Sequence, residues 1–184
     1  MSRIGRRPIP IPESVKVNIT NDRIKAEGPK GVFEQVIPSN IKITIDTTKK
    51  QLCVETAYNS TQDKILHGTM RSLINNILIG VLKGYEKKLE INGVGYKAQI
   101  QDKNLLISLG FSHPTKVSVP DGLTISIPNP NLLIIQGVNK ELVGNFAAKI
   151  RGIKTAEPYN LKGIKYSDEF IRRKAGKTFV SGMT

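Results

Sequence analysis

Ser118-Val119-Pro120-Asp121-Gly122-Leu123-Thr124-Ile125-Ser126-Ile127 runs through Pro128-Asn129-Pro130-Asn131 into Leu132-Leu133-Ile134-Ile135. The chain has already used this design once. Val36-Ile37-Pro38-Ser39-Asn40-Ile41-Lys42-Ile43-Thr44-Ile45 leads through a polar turn to Leu52-Cys53-Val54. Each block reads as a strand, a proline-bearing turn, an alternating strand, a tight turn and another strand. A helical pattern follows in each half. Gly68 and Gly144 fall at similar places in those helices, preceded by Leu66-His67 and Leu142-Val143. The correspondence points to a duplicated unit, although two copies are too few for a solenoid. A length of 184 residues permits one or two domains, and the duplication decides for two.

Outward from these blocks, the first helix is expected to start near Ser60 to Asp63, which have capping-box spacing. Leu66, Met70, Leu73, Ile74, Ile77, Leu78 and Val81 recur at three- and four-residue steps, so one face packs on a sheet, and Gly84 supplies a stop. A second helix is expected from about Asn139 to Arg151, with Leu142, Val143, Phe146, Ala147 and Ile150 inward and Gly152 ending it. Gly28-Pro29-Lys30-Gly31, between two alternating runs, reads as the turn of a β-hairpin. The expected fold class is α+β: two internally duplicated domains, each an antiparallel β-sheet packed with one α-helix, plus a basic C-terminal extension. The boundaries read as residues 1–83 (with a basic N-terminal arm), 84–153 and 154–184.

Charge narrows the function. Lys plus Arg number 28 against 15 acids, a net charge of +13, and such self-repulsion is tolerated where a counter-charged partner is bound. Nucleic acid and anionic membrane are the candidate partners. No apolar run approaches the length needed to span a bilayer, and the first helix carries too few cations for a membrane-surface helix. Pro8, Pro10 and Pro12 break up the region where a secretory signal would lie, and no Arg- and Ser-rich transit segment precedes the structured sequence. The expected partner is therefore not a membrane, and the protein is expected to stay in the compartment where it is made. Cys53, the single cysteine, lies in an apolar run and reads as a buried small hydrophobe. With His67 and His113 the only histidines, no metal-ligand cluster is expected.

Gly93-Val94-Gly95-Tyr96-Lys97-Ala98 fits the dinucleotide fingerprint G-x-G-x-x-A after a strand-like Leu89-Glu90-Ile91. The fingerprint works only where a helix opens and meets the pyrophosphate. Alternation at Ala98-Gln99-Ile100-Gln101 argues for another strand, hence for a glycine-kinked bend and against a nicotinamide-binding enzyme. His67 has no nearby carboxylate or nucleophile in sequence, and Asp168-Glu169 reads as a salt-bridge or helix-start pair. No catalytic constellation is found; neither enzyme activity nor cofactor is expected.

The C-terminal stretch is the candidate site. From Lys149 to Lys177 it holds Lys149, Arg151, Lys154, Lys162, Lys165, Arg172, Arg173, Lys174 and Lys177, opposed only by Glu157, Asp168 and Glu169. No helical period repeats, few acids are expected to pair, and Tyr159 and Tyr166 interleave with the cations. This suits a polyanion strip with rings for sugars or bases. Lys97 is a further candidate contact. His113, beside Pro114 in a loop, is either a turn residue or a phosphate donor. Arg3, Arg6 and Arg7 precede the prolines in an arm that is either disordered or laid along phosphates.

Ser2-Arg3-Ile4-Gly5, Pro8-Ile9-Pro10-Ile11-Pro12, Gly28-Pro29-Lys30-Gly31, Arg71-Ser72-Leu73, Leu89-Glu90-Ile91-x-Gly93-Val94-Gly95-Tyr96, Ser108-Leu109-Gly110-x-Ser112-His113-Pro114 and Glu157-Pro158-Tyr159 occur in this order. Together they resemble the large-subunit ribosomal protein six family of the bacterial type, over essentially the whole chain. The resemblance implies a duplicated α+β protein that binds 23S-type ribosomal RNA near the sarcin–ricin loop and the stalk base. It also implies neighbouring large-subunit proteins and translational GTPases docking nearby. Tyr159, Lys162 and Gly163 match the family's C-terminal signature, Pro-x-Tyr-Lys-Gly-Lys-Gly. Asn160 and Leu161 depart from it, replacing a cation and a glycine. Gly163-Ile164-Lys165-Tyr166 and Arg172-Arg173-Lys174-Ala175-Gly176-Lys177 are similar to cyanobacterial and plastid members. With the abundance of Ile, Asn and Lys, they point to a plastid (chloroplast) ribosome, with the bacterial cytoplasm as the alternative.

Overall fold

A computed structural model describes residues 2–20, 22–46, 48–56, 60–174 and 176. Two compact units emerge, one from the residues up to Tyr85 with Gly137–Lys140, the other from Glu86–Gln136 with the chain from Glu141 onward.

The first unit contains β1 (Ile9–Pro10), β2 (Lys16–Thr20), β3 (Arg23–Gly28), β4 (Gly31–Val36), β5 (Ile41–Asp46), β6 (Gln51–Thr56) and α1 (Thr61–Lys83). Its two sheets have strand orders β2-β3-β4 and β1-β6-β5, all antiparallel. The expected hairpin closes with Gly28 opposite Gly31. Glycine is needed at position 28 because a Cβ would lie 2.6 Å from the Val81 carbonyl oxygen. The capping box also forms: Ser60 Oγ accepts from the Asp63 N–H, and the Asp63 carboxylate accepts from the Ser60 N–H, both at 3.1 Å. Ser60 Oγ–H also donates to that carboxylate at 2.6 Å, as does Asn40, and these bonds, that from Ser60's hydroxyl foremost, hold the Asp63 pKa below its usual value.

Along α1, Met70, Ile74, Ile77, Leu78 and Val81 are buried in a core shared with Ile9, Ile24, Ala26 and Leu52. Each such side chain contributes roughly 1.5–3 kcal/mol on leaving water. Two expectations need correction. At 23 residues α1 is in fact long and apolar enough to cross a membrane; its inward stripe, however, is occupied by the sheets. Cys53 is half-buried rather than core, because strand alternation turns Leu52 and Val54 inward and Cys53 to the other face.

Apart from the boundary residues Tyr85, Gly137 and Lys140, the second unit contains β7 (Tyr85–Asn92), β8 (Lys97–Gln101), β9 (Asn104–Ser108), β10 (Thr115–Ser118), β11 (Leu123–Asn129), β12 (Leu132–Gly137), α2 (Lys140–Ile153) and β13 (Gly163–Tyr166). Orders β8-β9-β10 and β11-β12-β7-β13 repeat the plan of the first unit, with β7-β12-β11 answering β1-β6-β5. Helix α2 runs one residue past the expected stop at Gly152. Between β7 and β8 the chain bends and no helix opens, which removes the dinucleotide reading. Gly93, at φ 155°, makes this bend; a Cβ there would stand 2.5 Å from the Tyr96 ring.

Candidate nucleic-acid interface

The C-terminal segment is woven into the second unit. Ile164, fully buried, inserts a strand whose register against β7 pairs Gly163 with Asn92 and Tyr166 with Leu89. Ahead of it the chain closes a tight loop, with Glu157 N–H donating to the Lys162 carbonyl at 3.0 Å and Leu161 N–H to the Glu157 carbonyl at 2.8 Å. Gly163 sits at φ 136°, and a Cβ would come within 2.6 Å of the Thr155 carbonyl oxygen. Leu161 adopts a left-handed φ of 57°. A glycine holds that conformation freely, whereas a leucine carries a penalty of about 1–2 kcal/mol. The departure from the family signature thus sits at its one left-handed non-glycine residue. Beyond β13, Ser167 N–H donates to the Lys88 carbonyl, and Lys174 N–H donates to the Pro158 carbonyl at 3.0 Å. That last bond brings the chain back across the 157–161 loop.

This placement sorts cations that look equivalent in sequence. Arg151 grips Glu169 with both Nε and Nη2, the Nε bond at 2.7 Å. Its hydrogen bonds hold the Glu169 carboxyl below the usual glutamate range and raise Arg151 in turn. Lys165 pairs with Glu90 at 2.9 Å, and Lys87 with Asp168 at 3.5 Å. Lys154 donates to Tyr96 Oη at 2.6 Å and to the Leu109 carbonyl at 2.9 Å, with its ammonium 4.9 Å from the centroids of the Tyr96 and Phe111 rings. Tyr166 lies under Lys87 and Arg151. Two of the three acids therefore do pair, against the expectation that few were placed to do so.

Lys149, Lys162, Arg172, Arg173 and Lys174 are exposed. None makes a side-chain hydrogen bond or ion pair among the described residues. Tyr159 is 48% exposed. Lys97 and His113 are exposed on the second unit, apart in sequence from this segment. Lys177 lies outside the described residues.

At the other terminus the arm is ordered. Arg6 and Arg7 N–H groups donate to the Ser2 and Ile4 carbonyls, and the Ser2 N–H donates to His67 Nδ1 at 3.3 Å. His67 is 1% exposed, and its Nε2–H donates to the Val54 carbonyl at 2.8 Å. Both ring nitrogens are thus used in anchoring. Gly5 lies on the His67 ring, where a Cβ would come within 2.5 Å. Arg3, Arg6 and Arg7 point outward. Arg71, quoted in the sequence only within the motif Arg71-Ser72-Leu73 and not as a contact residue, donates its Nε to the Arg7 carbonyl. Its spacing of four residues from His67 on α1 was the available signal.

A profile of the family described as Ribosomal protein L6 matches residues 11–84 and again residues 92–167, one match per repeat. The second match ends just after β13. The large ribosomal subunit protein uL6 of Carboxydothermus hydrogenoformans is 48% identical over 178 residues, 97% of each chain. That of Synechococcus sp. strain RCC307 is 47% identical over 97% of this chain and 98% of its own. The large ribosomal subunit protein uL6c of Guillardia theta is 47% identical over 96% and 98%. With two matches of one profile on two repeats of one fold, the chain belongs to the Ribosomal protein L6 family, a family of structural ribosomal proteins and not of enzymes.

Proposed function

We propose that this chain is a structural constituent of the large ribosomal subunit that binds 23S-type ribosomal RNA through its C-terminal segment. One observation carries the reading: Lys162, Arg172, Arg173 and Lys174 are exposed and have no side-chain partners among the described residues, on a segment pinned by β13. Cations fixed in this way meet phosphates with little ordering cost left to bear. Arg151, Lys154 and Lys165 position the segment, and Tyr166 packs beneath it. Lys149, Lys97, His113 and the arginines of the N-terminal arm supply further phosphate contacts. The location near the sarcin–ricin loop and stalk base, close to docking translational GTPases, follows from the family resemblance. A plastid ribosome is favoured by the similarity to a protein named uL6c and to a cyanobacterial relative; a bacterial ribosome is the second reading, supported by 48% identity to a bacterial one.

The test is a truncation after Phe170, which retains β13 and the Arg151–Glu169 pair; cutting at 154 would remove buried Ile164 and unfold the unit. Binding of a large-subunit RNA fragment should weaken. The slope of log K against log salt should become shallower by about 3, at ~0.7–0.9 per phosphate lost. An unchanged affinity and slope would refute the role given to this segment.

A further inference from the structure

We infer that the cleft beside the 157–161 loop takes a single unpaired nucleotide, its base laid on Tyr159 and its phosphate held by Arg173 and Lys174. This rests on the RNA-binding reading above and adds the form of RNA that is recognised. The bond from Lys174 N–H to the Pro158 carbonyl sets Arg173 and Lys174 alongside Tyr159 and Asn160. Together with Gly176 they border a cleft of about 540 Å³, within the ~300–1,000 Å³ range of small-ligand sites.

The chemistry of the lining is complementary to one nucleotide. Tyr159 is half exposed, and its ring has no partner among the described residues. Tyr96 and Tyr166, by contrast, lie under cations, and Tyr85 donates its hydroxyl to the Asn76 carbonyl. An open face beside two exposed cations suits a base joined to its phosphate. A fully paired duplex keeps its bases stacked within the helix and leaves this ring unused. Asn160 borders the cleft beside Tyr159. Its amide cannot neutralise phosphate, but it offers a donor and an acceptor to a base edge, the pairing that suits adenine. The cleft thus sets a group able to discriminate bases beside its cations.

The experiment uses the full chain and three labelled RNA hairpins with one common stem: fully paired, with one bulged adenosine, and with one bulged uridine. Fluorescence anisotropy at fixed salt should show the adenosine bulge bound about tenfold tighter than the paired stem, in line with the strength of base–aromatic stacking. Tyr159→Leu should erase that preference, bringing bulged and paired stems to one affinity, and Tyr159→Phe should keep it. Asn160→Lys should tighten binding to all three hairpins and abolish the difference between adenosine and uridine. Equal binding of paired and bulged stems, or a preference that survives Tyr159→Leu, overturns the nucleotide site alone. Failure to bind any hairpin at low salt overturns the RNA reading together with it.

Discussion

In the first repeat the edge strand β1 is two residues long and, among the described residues, pairs only with β6; in the second the equivalent strand β7 has eight residues and takes β13 on its free side. The chain termini account for the difference. The N-terminal arm docks on helix α1 through His67 and Gly5, whereas the C-terminal segment docks on a sheet edge through backbone pairing. One duplicated scaffold has thus acquired two ways of holding a basic terminus. Strand addition satisfies a row of backbone donors and acceptors and covers an exposed edge. A side-chain anchor on a helix rests on fewer bonds. The second unit should therefore hold its cations more rigidly than the first.

The largest effect is expected from breaking the strand. Gly163→Ala would place a methyl group against backbone atoms of Thr155 and Ala156 at a φ of 136°, and Ile164→Ala would open a cavity under β13. Each should cost about 3 kcal/mol in denaturant unfolding. A loss below about 1 kcal/mol would mean that β13 contributes no more than a surface strand, and the contrast between the termini would collapse.

Next is the anchor of the arm. His67→Leu removes the acceptor for the Ser2 N–H and leaves the Val54 carbonyl without its donor. A buried acceptor left unpaired costs about 1–3 kcal/mol. Amide hydrogen exchange at residues 2–7 should accelerate, while exchange in β13 stays as it was. Continued protection of the arm would show that β1 and Arg71 hold it instead.

How legible all this was depended on sequence distance. The hairpin at Gly28–Gly31, the capping box at Ser60 and Asp63 and the helical stripe of α1 are local patterns, and they form as read. The duplication was legible because it compares the chain with itself. The pairing of Gly163–Tyr166 with β7 was not. Gly-Ile-Lys-Tyr has too few residues to show alternation, and five further strands and a helix separate it from its partner strand. Sorting the cations failed for the same reason. Lys165 and Lys162 look alike in sequence, and only the β7 register sets Glu90 opposite Lys165. The ordered arm was equally hidden, since His67 showed no nearby partner until the fold brought Ser2 and Val54 to it.

A smaller effect should come from the Arg151–Glu169 clamp, which ties the segment after β13 back to α2. Glu169→Gln should cost about 1–2 kcal/mol, the lower end being expected because both side chains are partly open to solvent. The pH dependence has a definite sign. Glu169's carboxyl is depressed in the folded state, chiefly by its hydrogen bond to Arg151. Its contribution is therefore complete above the ordinary glutamate value, about 4.3, and is lost as pH falls through the lower folded value. Wild type should lose stability faster than E169Q on acidification below about pH 5, and the two should run parallel between pH 6 and about 8. Parallel curves throughout would mean that the pair adds nothing to folding.

The smallest effect discriminates most finely between the repeats, because Gly68 and Gly144 occupy similar places in α1 and α2. A Cβ at Gly144 would meet nothing within 4 Å, whereas one at Gly68 would lie 3.0 Å from Ser2 Oγ. Gly144→Ala should stabilise the protein by about 0.5–1 kcal/mol through reduced unfolded-state entropy and better helix propensity. Gly68→Ala gains the same propensity but must displace Ser2, so its net change should fall near zero, accompanied by faster exchange in the arm. The Ser2 hydroxyl is the end of a small side chain that can rotate away, so the penalty is bounded by the loss of the arm's packing. If both substitutions stabilise equally and the arm stays protected, the glycine in α1 is a relic of the duplication. If only Gly144→Ala stabilises, the first repeat keeps its glycine because its own N-terminus lies there.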